Sequence, residues 1–547
     1  MNANIKKIDV VIVGAGFSGM YLIYELRKQG LMLQCIEAGS DVGGTWYWNR
    51  YPGARVDVPS YEYSYSFDKE LEQSYPWKEK YAQQAEIHEY QKFVADKHDL
   101  RKDILFNTKV TDAVYNETNK LWIITTDRGE VFEARYFITA TGTLSVPIKP
   151  KINGLENFKG QSIITGFWPK DTTEKDFKGK NVAVIGTGST GIQMIPVIAE
   201  YAKKLSVFHR NGNYTIPAGN RPITTEEWDD IRSRYDEIRK IQRTNGTGVA
   251  LMPDSTGKSA LDYTKEEAYE LIDGYLAMGG GIAGLPQSFT DISFNDEANK
   301  VIRDYFADKI KSIVKDPVKA EILIPKDIKY GDRRPCVDTD YWETFNRENV
   351  ELIDVVENSI EEITESGLRL KDGTSYSYDV IIYATGYDAM TGALNRINIM
   401  GRNGKMMKEK WNSGPRMYLG LMCNEFPNFF TVTGPGSPSV LSNMIVSIEQ
   451  HVEWIAKTIA FLEQNNITAL EPKLEEEDKW IDHCNEIAEP FFISKGNSWY
   501  VGKNIPGKPR IFMPYIGGVG PYAKIIDEIS NNGYLEFEKE YASVQTV

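Results

Sequence analysis

Three features of the sequence predict an α/β protein with two dinucleotide-binding, Rossmann-like domains and a helical insertion. A β-branched run, Val10-Val11-Ile12-Val13, leads into Gly14-Ala15-Gly16-Phe17-Ser18-Gly19. A second apolar run, Val182-Ala183-Val184-Ile185, leads into Gly186-Thr187-Gly188-Ser189-Thr190-Gly191. Two later strand-like stretches each end in Ala-Thr-Gly, at Ala140-Thr141-Gly142 and Ala384-Thr385-Gly386, as expected where the chain crosses between domains. At 547 residues the chain is too long for one ordinary core. The expected division gives 1–143 and 387–547 to the first dinucleotide domain, 144–221 and 331–386 to the second, and 222–330 to the helical insertion.

In the first unit the β-branched run reads as a buried parallel strand. Gly14 permits the tight turn, Gly16 lets the backbone approach a pyrophosphate, and Gly19 lets helix and strand pack closely. The pyrophosphate then meets the helix N-terminus, where free N–H groups and the helix dipole favour negative charge. Glu37 closes the second strand about 20 residues on, where an acid accepts hydrogen bonds from a ribose. Gly43-Gly44-Thr45-Trp46-Tyr47-Trp48 puts three large aromatics beside two glycines, a rigid loop able to lie against a flat ring. Asp57 follows in a stretch rich in Tyr and Phe that includes Tyr63, and a carboxylate buried there usually has a cationic partner. A helix is expected over 86–98 and strands around 121–126 and 136–139.

The second unit departs from the first at its acidic position. Its second strand, Lys204-Leu205-Ser206-Val207-Phe208, ends in His209-Arg210. An acid there reads a ribose 2′-hydroxyl; an arginine accepts a 2′-phosphate, so NADPH is expected over NADH. Residues 222–329 carry helical patterning able to cover a cleft. Met278-Gly279-Gly280-Gly281-Ile282 follows no strand and reads as a loop, not a phosphate cradle. Arg333-Arg334-Pro335 stands at a domain crossing. Thr433-Gly434-Pro435-Gly436-Ser437-Pro438-Ser439 reads as a rigid turn-rich loop before an amphipathic helix through Trp454. Glu475-Glu476-Glu477-Asp478 reads as a solvated helix face.

A formal net charge of -14 argues against nucleic-acid and anionic-membrane surfaces. No signal peptide or membrane span is expected, since the N-terminus leads directly into a strand and the apolar stretch from Val10 to Leu26 is broken by glycines and polar residues. Four isolated cysteines, with no Cys-x-x-Cys, fit a reduced, cytoplasmic compartment and remove the redox disulfide a flavin disulfide reductase needs. No His, Cys or carboxylate cluster has metal spacing, so no metal is expected. Monomer and homo-oligomer are both compatible with the sequence.

The two glycine triads, Gly43-Gly44-Thr45-Trp46, the two Ala-Thr-Gly crossings, Arg333-Arg334-Pro335 and Asn504-Ile505-Pro506-Gly507-Lys508 together resemble the Baeyer–Villiger monooxygenases, and within them the phenylacetone and cyclohexanone group. The resemblance spans essentially the whole chain. It implies FAD in the first unit, NADPH in the second, and insertion of one atom of O2 beside a ketone carbonyl through a flavin C4a-peroxide, giving an ester or lactone, with sulfoxidation as a second activity. It implies Arg334 as the catalytic arginine and Asp57 as the carboxylate that orients it. Cofactor contacts are implied at Gly14, Gly16, Phe17, Ser18, Gly19, Glu37, Gly44, Thr45, Trp46, Asp57, Tyr63 and Thr141. In the second unit they are implied at Gly186, Thr187, Gly188, Ser189, Thr190, Gly191, Arg210, Arg333, Thr385, Gly386 and Trp499. Ser437, Ser439, Val440 and Leu441 are implied in the substrate wall.

The family fingerprint, Phe-x-Gly-x-x-x-His-x-x-x-Trp-(Pro or Asp), stands here as Phe158-Lys159-Gly160-Gln161-Ser162-Ile163-Ile164-Thr165-Gly166-Phe167-Trp168-Pro169. Every fixed position matches except Ile164, which replaces the histidine. An imidazole hydrogen-bonds and titrates; an isoleucine only packs. Intact folding and cofactor binding are expected, with altered oxygen-transfer efficiency or coupling. The rival expectations are an uncoupled NADPH oxidase, a sulfoxidising flavin monooxygenase, or a flavin-bound protein without turnover.

Overall fold

The structure, a computed structural model, describes residues 5–278 and 285–542; the glycine break expected at 279–282 lies outside them. Val10, Val11 and Ile12 are fully buried in the strand Ile5–Val13, flanked in parallel by Leu33–Ile36 and Val131–Thr139. Helices or strands cover both faces, so the run is continuously apolar and does not alternate. Ile104–Leu105 extends one edge, and Phe429–Thr431, from far down the chain, pairs with the C-terminal half of Val131–Thr139. The N-terminal half of that strand pairs antiparallel with Leu121–Thr126, and Val110–Asn116 and Asn398–Met400 complete the sheet. Along Leu121–Thr126 only Trp122, Ile124 and Thr126 are buried, the period of two expected of a sheet with one covered face.

The second sheet is five-stranded and wholly parallel, in the order Val350–Asp354, Lys204–His209, Asn181–Ile185, Val380–Tyr383, Gln161–Ile164. The fold is thus α/β with two Rossmann-type sheets. The helices of 222–330 divide between the two cores. Thr225–Ser233 and Tyr235–Thr244 place Ile231, Tyr235 and Ile238 in the core of the first sheet. Asp296–Ile313 and Pro317–Leu323 place Ile302, Phe306, Ile310 and Leu323 in the core of the second.

Two expectations are corrected here. The helix Met444–Gln464 is not simply amphipathic: it lies between the helices Phe17–Arg27 and Val519–Asn531 and is buried on nearly every side. The acidic run at 475–478 is not a solvated face, because Glu477 is fully buried. Its carboxylate accepts the Asn424 N–H at 2.8 Å and pairs with Lys410 at 3.0 Å, which offsets the desolvation of a buried charge.

The two Ala-Thr-Gly crossings run side by side. Ile148 donates its N–H to Gly386 at 2.9 Å, Asp388 to Val146 at 2.9 Å, and Met390 to Thr143 at 2.9 Å. The Thr385 hydroxyl adds a bond to the Ile148 carbonyl at 2.7 Å.

Candidate functional site

Each sheet carries one glycine cradle, and the two are built alike. Gly14 takes φ +105°, and a Cβ there would stand 2.5 Å from the Ala140 carbonyl oxygen. Gly186 takes φ +114°, and a Cβ there would stand 2.5 Å from the Ala384 carbonyl oxygen. The Ala of each crossing motif is therefore the backbone against which the turn of its own unit closes. Gly19 and Gly191 lie against the carbonyls of Gly14 and Gly186, where a Cβ would collide. Gly188 differs: its φ is an ordinary −81° and nothing lies within 4 Å of the Cβ position. The fold itself does not require glycine there. A phosphate approaching the backbone does, which is how the residues present fit a dinucleotide.

In the first cradle Glu37 is buried, and its two carboxylate oxygens accept the N–H groups of Ala15 at 2.8 Å and Gly39 at 2.6 Å. Burial pushes its pKa up, against those two donors. The acid thus braces the glycine turn, and the second lone pair of each oxygen is what remains for a ribose. Gly44, at φ +52°, backs onto Gly16; a Cβ on Gly44 would stand 2.9 Å from the Gly16 Cα. Thr45–Trp48 forms one helical turn, from which Trp46 donates its indole N–H to the Tyr63 hydroxyl at 3.3 Å. The Tyr63 ring meets Phe17 edge-on at 5.6 Å. Ser18 is buried in the first helical turn, and Thr141 follows Ala140 in the crossing.

In the second cradle Ser189 and Thr190 open the helix Ser189–Tyr201, and the buried Thr187 donates its hydroxyl to the Asn211 carbonyl at 3.2 Å. Arg210 leaves the strand end exposed to solvent. Arg333 reaches the same region, donating to the Asn213 side chain at 3.3 Å and to the Asn497 carbonyl at 3.1 Å. Burial, and then the nearby Arg210 charge, lower the Arg333 pKa. Two guanidiniums thus repel one another, and among the described residues no carboxylate is hydrogen-bonded to either, an arrangement able to attract an anion.

Between the cradles Arg334 and Asp57 form a fork. Arg334 Nε donates to Asp57 Oδ2 at 3.0 Å and Nη2 to Oδ1 at 3.0 Å, while Nη1 donates to the Val440 carbonyl at 2.8 Å. Burial works against the Arg334 charge, but Asp57 and the adjacent Tyr500 hold its pKa above the ordinary guanidinium value. Tyr500 is buried, which pushes its pKa up to about 12 despite Arg334 beside it. Trp499, half-buried, packs on Tyr500 at 4.1 Å between centroids. Val440, Tyr500 and Met513 belong to an apolar cluster flanked by Leu144, Leu441 and Phe512. Ser437 and Ser439 are fully buried. The Ser437 hydroxyl donates internally to the Gly434 carbonyl at 2.7 Å, so its proton is committed to shaping the loop.

Ile164 ends the strand Gln161–Ile164 opposite Tyr383 and packs against the apolar cluster of the second sheet. Two residues on, a Cβ on Gly166 would stand 3.0 Å from the Tyr387 ring of a crossing. Trp168 is buried and donates to the Thr172 carbonyl at 2.8 Å. The fingerprint thus touches the paired crossings, and none of its atoms is hydrogen-bonded to Arg334 or Asp57. Sequence reasoning did not single out Tyr500, Asn213 or Asn497; the only signal for Tyr500 was its place beside Trp499. Among the described residues no group of three His, Cys, Asp or Glu could hold a metal, and no helix is long and apolar enough to cross a membrane.

Residues 6–221 match the family described as flavin-binding monooxygenase-like. The chain is 42% identical to a Baeyer–Villiger monooxygenase of Pseudooceanicola batsensis, over 97% of this chain and 96% of that protein. It is 41% identical to a cyclohexanone 1,2-monooxygenase of Acinetobacter sp, over 97% and 96%. Among solved structures, OTEMO in complex with FAD and NADP superposes with a TM-score of 0.93 at 39% identity, covering 97% of this chain and 99% of that one.

Proposed function

The chain belongs to the Baeyer–Villiger monooxygenases, FAD- and NADPH-dependent flavin enzymes, and on that premise we propose that it converts ketones to esters or lactones with O2, taking sulfides as a second substrate class. Likeness over the whole chain to enzymes named for ketone oxygenation favours this reading over an oxidase that only releases peroxide.

FAD is assigned to the cradle of Gly14, Gly16 and Gly19, and NADPH to that of Gly186, Gly188 and Gly191. When bound, the flavin reduced by NADPH supplies the activation of O2. The protein supplies position and charge. Arg210 and Arg333 meet the 2′-phosphate, which sets NADPH over NADH. Trp46, Tyr63 and Phe17 form an interlocked aromatic edge that fixes the loop beside the flavin cradle. Asp57 and Val440 engage three Arg334 N–H groups, leaving one N–H on each terminal nitrogen free of those contacts. Tyr500 lies against one of them; a donor left over would meet the negative charge gathering on a ketone oxygen, and one preorganised donor of this kind is worth about 3–4 kcal/mol. The apolar cluster around Val440 and Phe512 lowers the dielectric on one side of that donor, which strengthens the interaction. The four cysteines are free and buried, which suits a reducing cytoplasm.

The observation that carries the reading is the Asp57–Arg334 fork, tied through Val440 to the candidate substrate wall. Its test is ester formed per NADPH consumed with phenylacetone and cyclohexanone, with hydrogen peroxide followed in the same tube. Ester formed in step with NADPH consumption is expected, at a ratio held below one by Ile164; consumption with peroxide and no ester overturns it.

A further inference from the structure

Glu62 lies one residue before Tyr63 of the aromatic edge, and its side chain faces the helical insertion. It is fully buried. Its carboxylate accepts the N–H of Ala250 at 2.5 Å, the N–H of Leu251 at 3.2 Å and the Gln242 amide at 3.1 Å. Its backbone carbonyl accepts the Asn443 side-chain amide at 2.8 Å. Asn443 in turn donates its own N–H to the Thr247 carbonyl at 2.8 Å. Within the segment, Asn245 accepts the Gly248 N–H at 2.7 Å and donates to the Val249 carbonyl at 2.7 Å. The result is a closed ring: Glu62 to Ala250, along the chain to Thr247, to Asn443, and back to Glu62.

The ring joins three parts of the site. Tyr63 belongs to the flavin edge. Asn443 ends the loop whose Val440 carbonyl holds Arg334. Ala250, Leu251 and Met252 are partly buried and pack against the first core, and in the same segment a Cβ on Gly248 would stand 3.3 Å from the Asn443 Cβ. Burying a carboxylate costs several kcal/mol unless it is well paired. Arg239 offsets part of this cost: it donates to the Glu62 carbonyl at 3.3 Å while its ion pair, at 2.6 Å, is with Glu72. Ordinary loop closure does not need a buried charge on two consecutive backbone N–H groups; a fixed wall does.

We propose that Glu62 is a positioning residue that fixes residues 247–252 as one wall of the ketone pocket and thereby sets which ketones fit. This rests on the ketone reading above. Glu62→Gln keeps the shape but puts a donor against one of the two backbone donors. In the FAD-loaded enzyme, amide exchange at Ala250 and Leu251 is expected to quicken by about tenfold or more. The ratio of KM for phenylacetone to KM for cyclohexanone is expected to shift by about 3- to 10-fold, the weight of one hydrogen bond. KM for NADPH and the anaerobic rate of flavin reduction stay as in the parent, which a general loss of structure would not allow. Unchanged exchange at 250–251, or an unchanged ketone ratio in an enzyme that makes ester, overturns the proposal. If Glu62→Gln loses its flavin, Leu251→Ala decides: with the clamp intact it must shift the same ketone ratio, and no shift overturns the wall assignment. If the parent makes no ester, the ketone reading has failed, and amide exchange alone still tests the clamp.

Discussion

Asp57→Asn isolates what the fork contributes. Asn keeps the shape of Asp but offers one acceptor and an NH2 that points a donor at a donor. One of the two 3.0 Å bonds to Arg334 is lost, and with it the charge that balances the guanidinium. The Val440 carbonyl still holds Nη1, so Arg334 stays in the site but turns more freely. A hydrogen bond to a charged group contributes about 1.5–3 kcal/mol. The side chains of Arg334 and Asp57 are 26% and 29% exposed, so the lower end applies. About 1.5–2 kcal/mol corresponds to a 10- to 30-fold fall in the rate of ester formation. Anaerobic flavin reduction per bound FAD should be unaffected, and peroxide per NADPH should rise. The assay is gas chromatography of ester alongside NADPH and peroxide, run as a double-mutant cycle with Arg334→Ala. Removing the guanidinium should cost about 10²–10³ in rate by itself, after which Asp57→Asn should add less than about threefold. If the two losses multiply, Asp57 does not act through Arg334 and the assignment of the fork is wrong.

Arg210→Ala should raise KM for NADPH by about 10- to 100-fold while changing NADH use by less than about threefold, because only the 2′-phosphate contact is removed; equal losses with both cofactors would refute the clamp. Ile164→His should change ester formed per NADPH with folding and flavin content unaltered, since the position packs against the second sheet and touches neither Arg334 nor Asp57; an unchanged ratio rules out a coupling role. Burial raises the Asp338 carboxyl from 3.8 to about 6. A raised acid stabilises the fold below its unfolded pKa, and that stability is lost as pH rises from about 4 through 6, by about 3 kcal/mol at most. Asp338→Asn should therefore flatten thermal stability between pH 4 and 7 and raise it at pH 8, measured by calorimetry; a parallel shift of the whole curve would contradict this.

The parts legible in the sequence were those governed by local spacing. Gly14, Gly186 and the two Ala-Thr-Gly motifs declared two like cradles, because each turn needs its glycine within a few residues of its strand. That the two alanines close on those turns is a contact between distant stretches, and only the fold shows it. Arg210 was readable because its position is counted along one strand. The Asp57–Arg334 fork joins residues 277 apart in the chain, so composition could ask for a cation near Asp57 without saying which; family resemblance chose it. Glu477 was misread because a run of acids looks solvated whichever member turns inward, and Lys410 and Asn424, which hold it, lie more than a helix away. Glu62 gave no signal for the same reason, and Tyr500 gave only its place beside Trp499.

The paired crossings carry a consequence for how the molecule is assembled. All five strands of the second sheet come from residues between Gln161 and Tyr383, and the chain enters and leaves that stretch through segments hydrogen-bonded to each other at 2.9 Å. The second sheet therefore hangs from two leads that share one socket. The stretch between them also reaches back, with Ile231, Tyr235 and Ile238 in the first core and Arg334 on Asp57, so it is stitched to the first sheet and cannot be lifted out whole. A protease that cuts one lead leaves the other hydrogen-bonded in place.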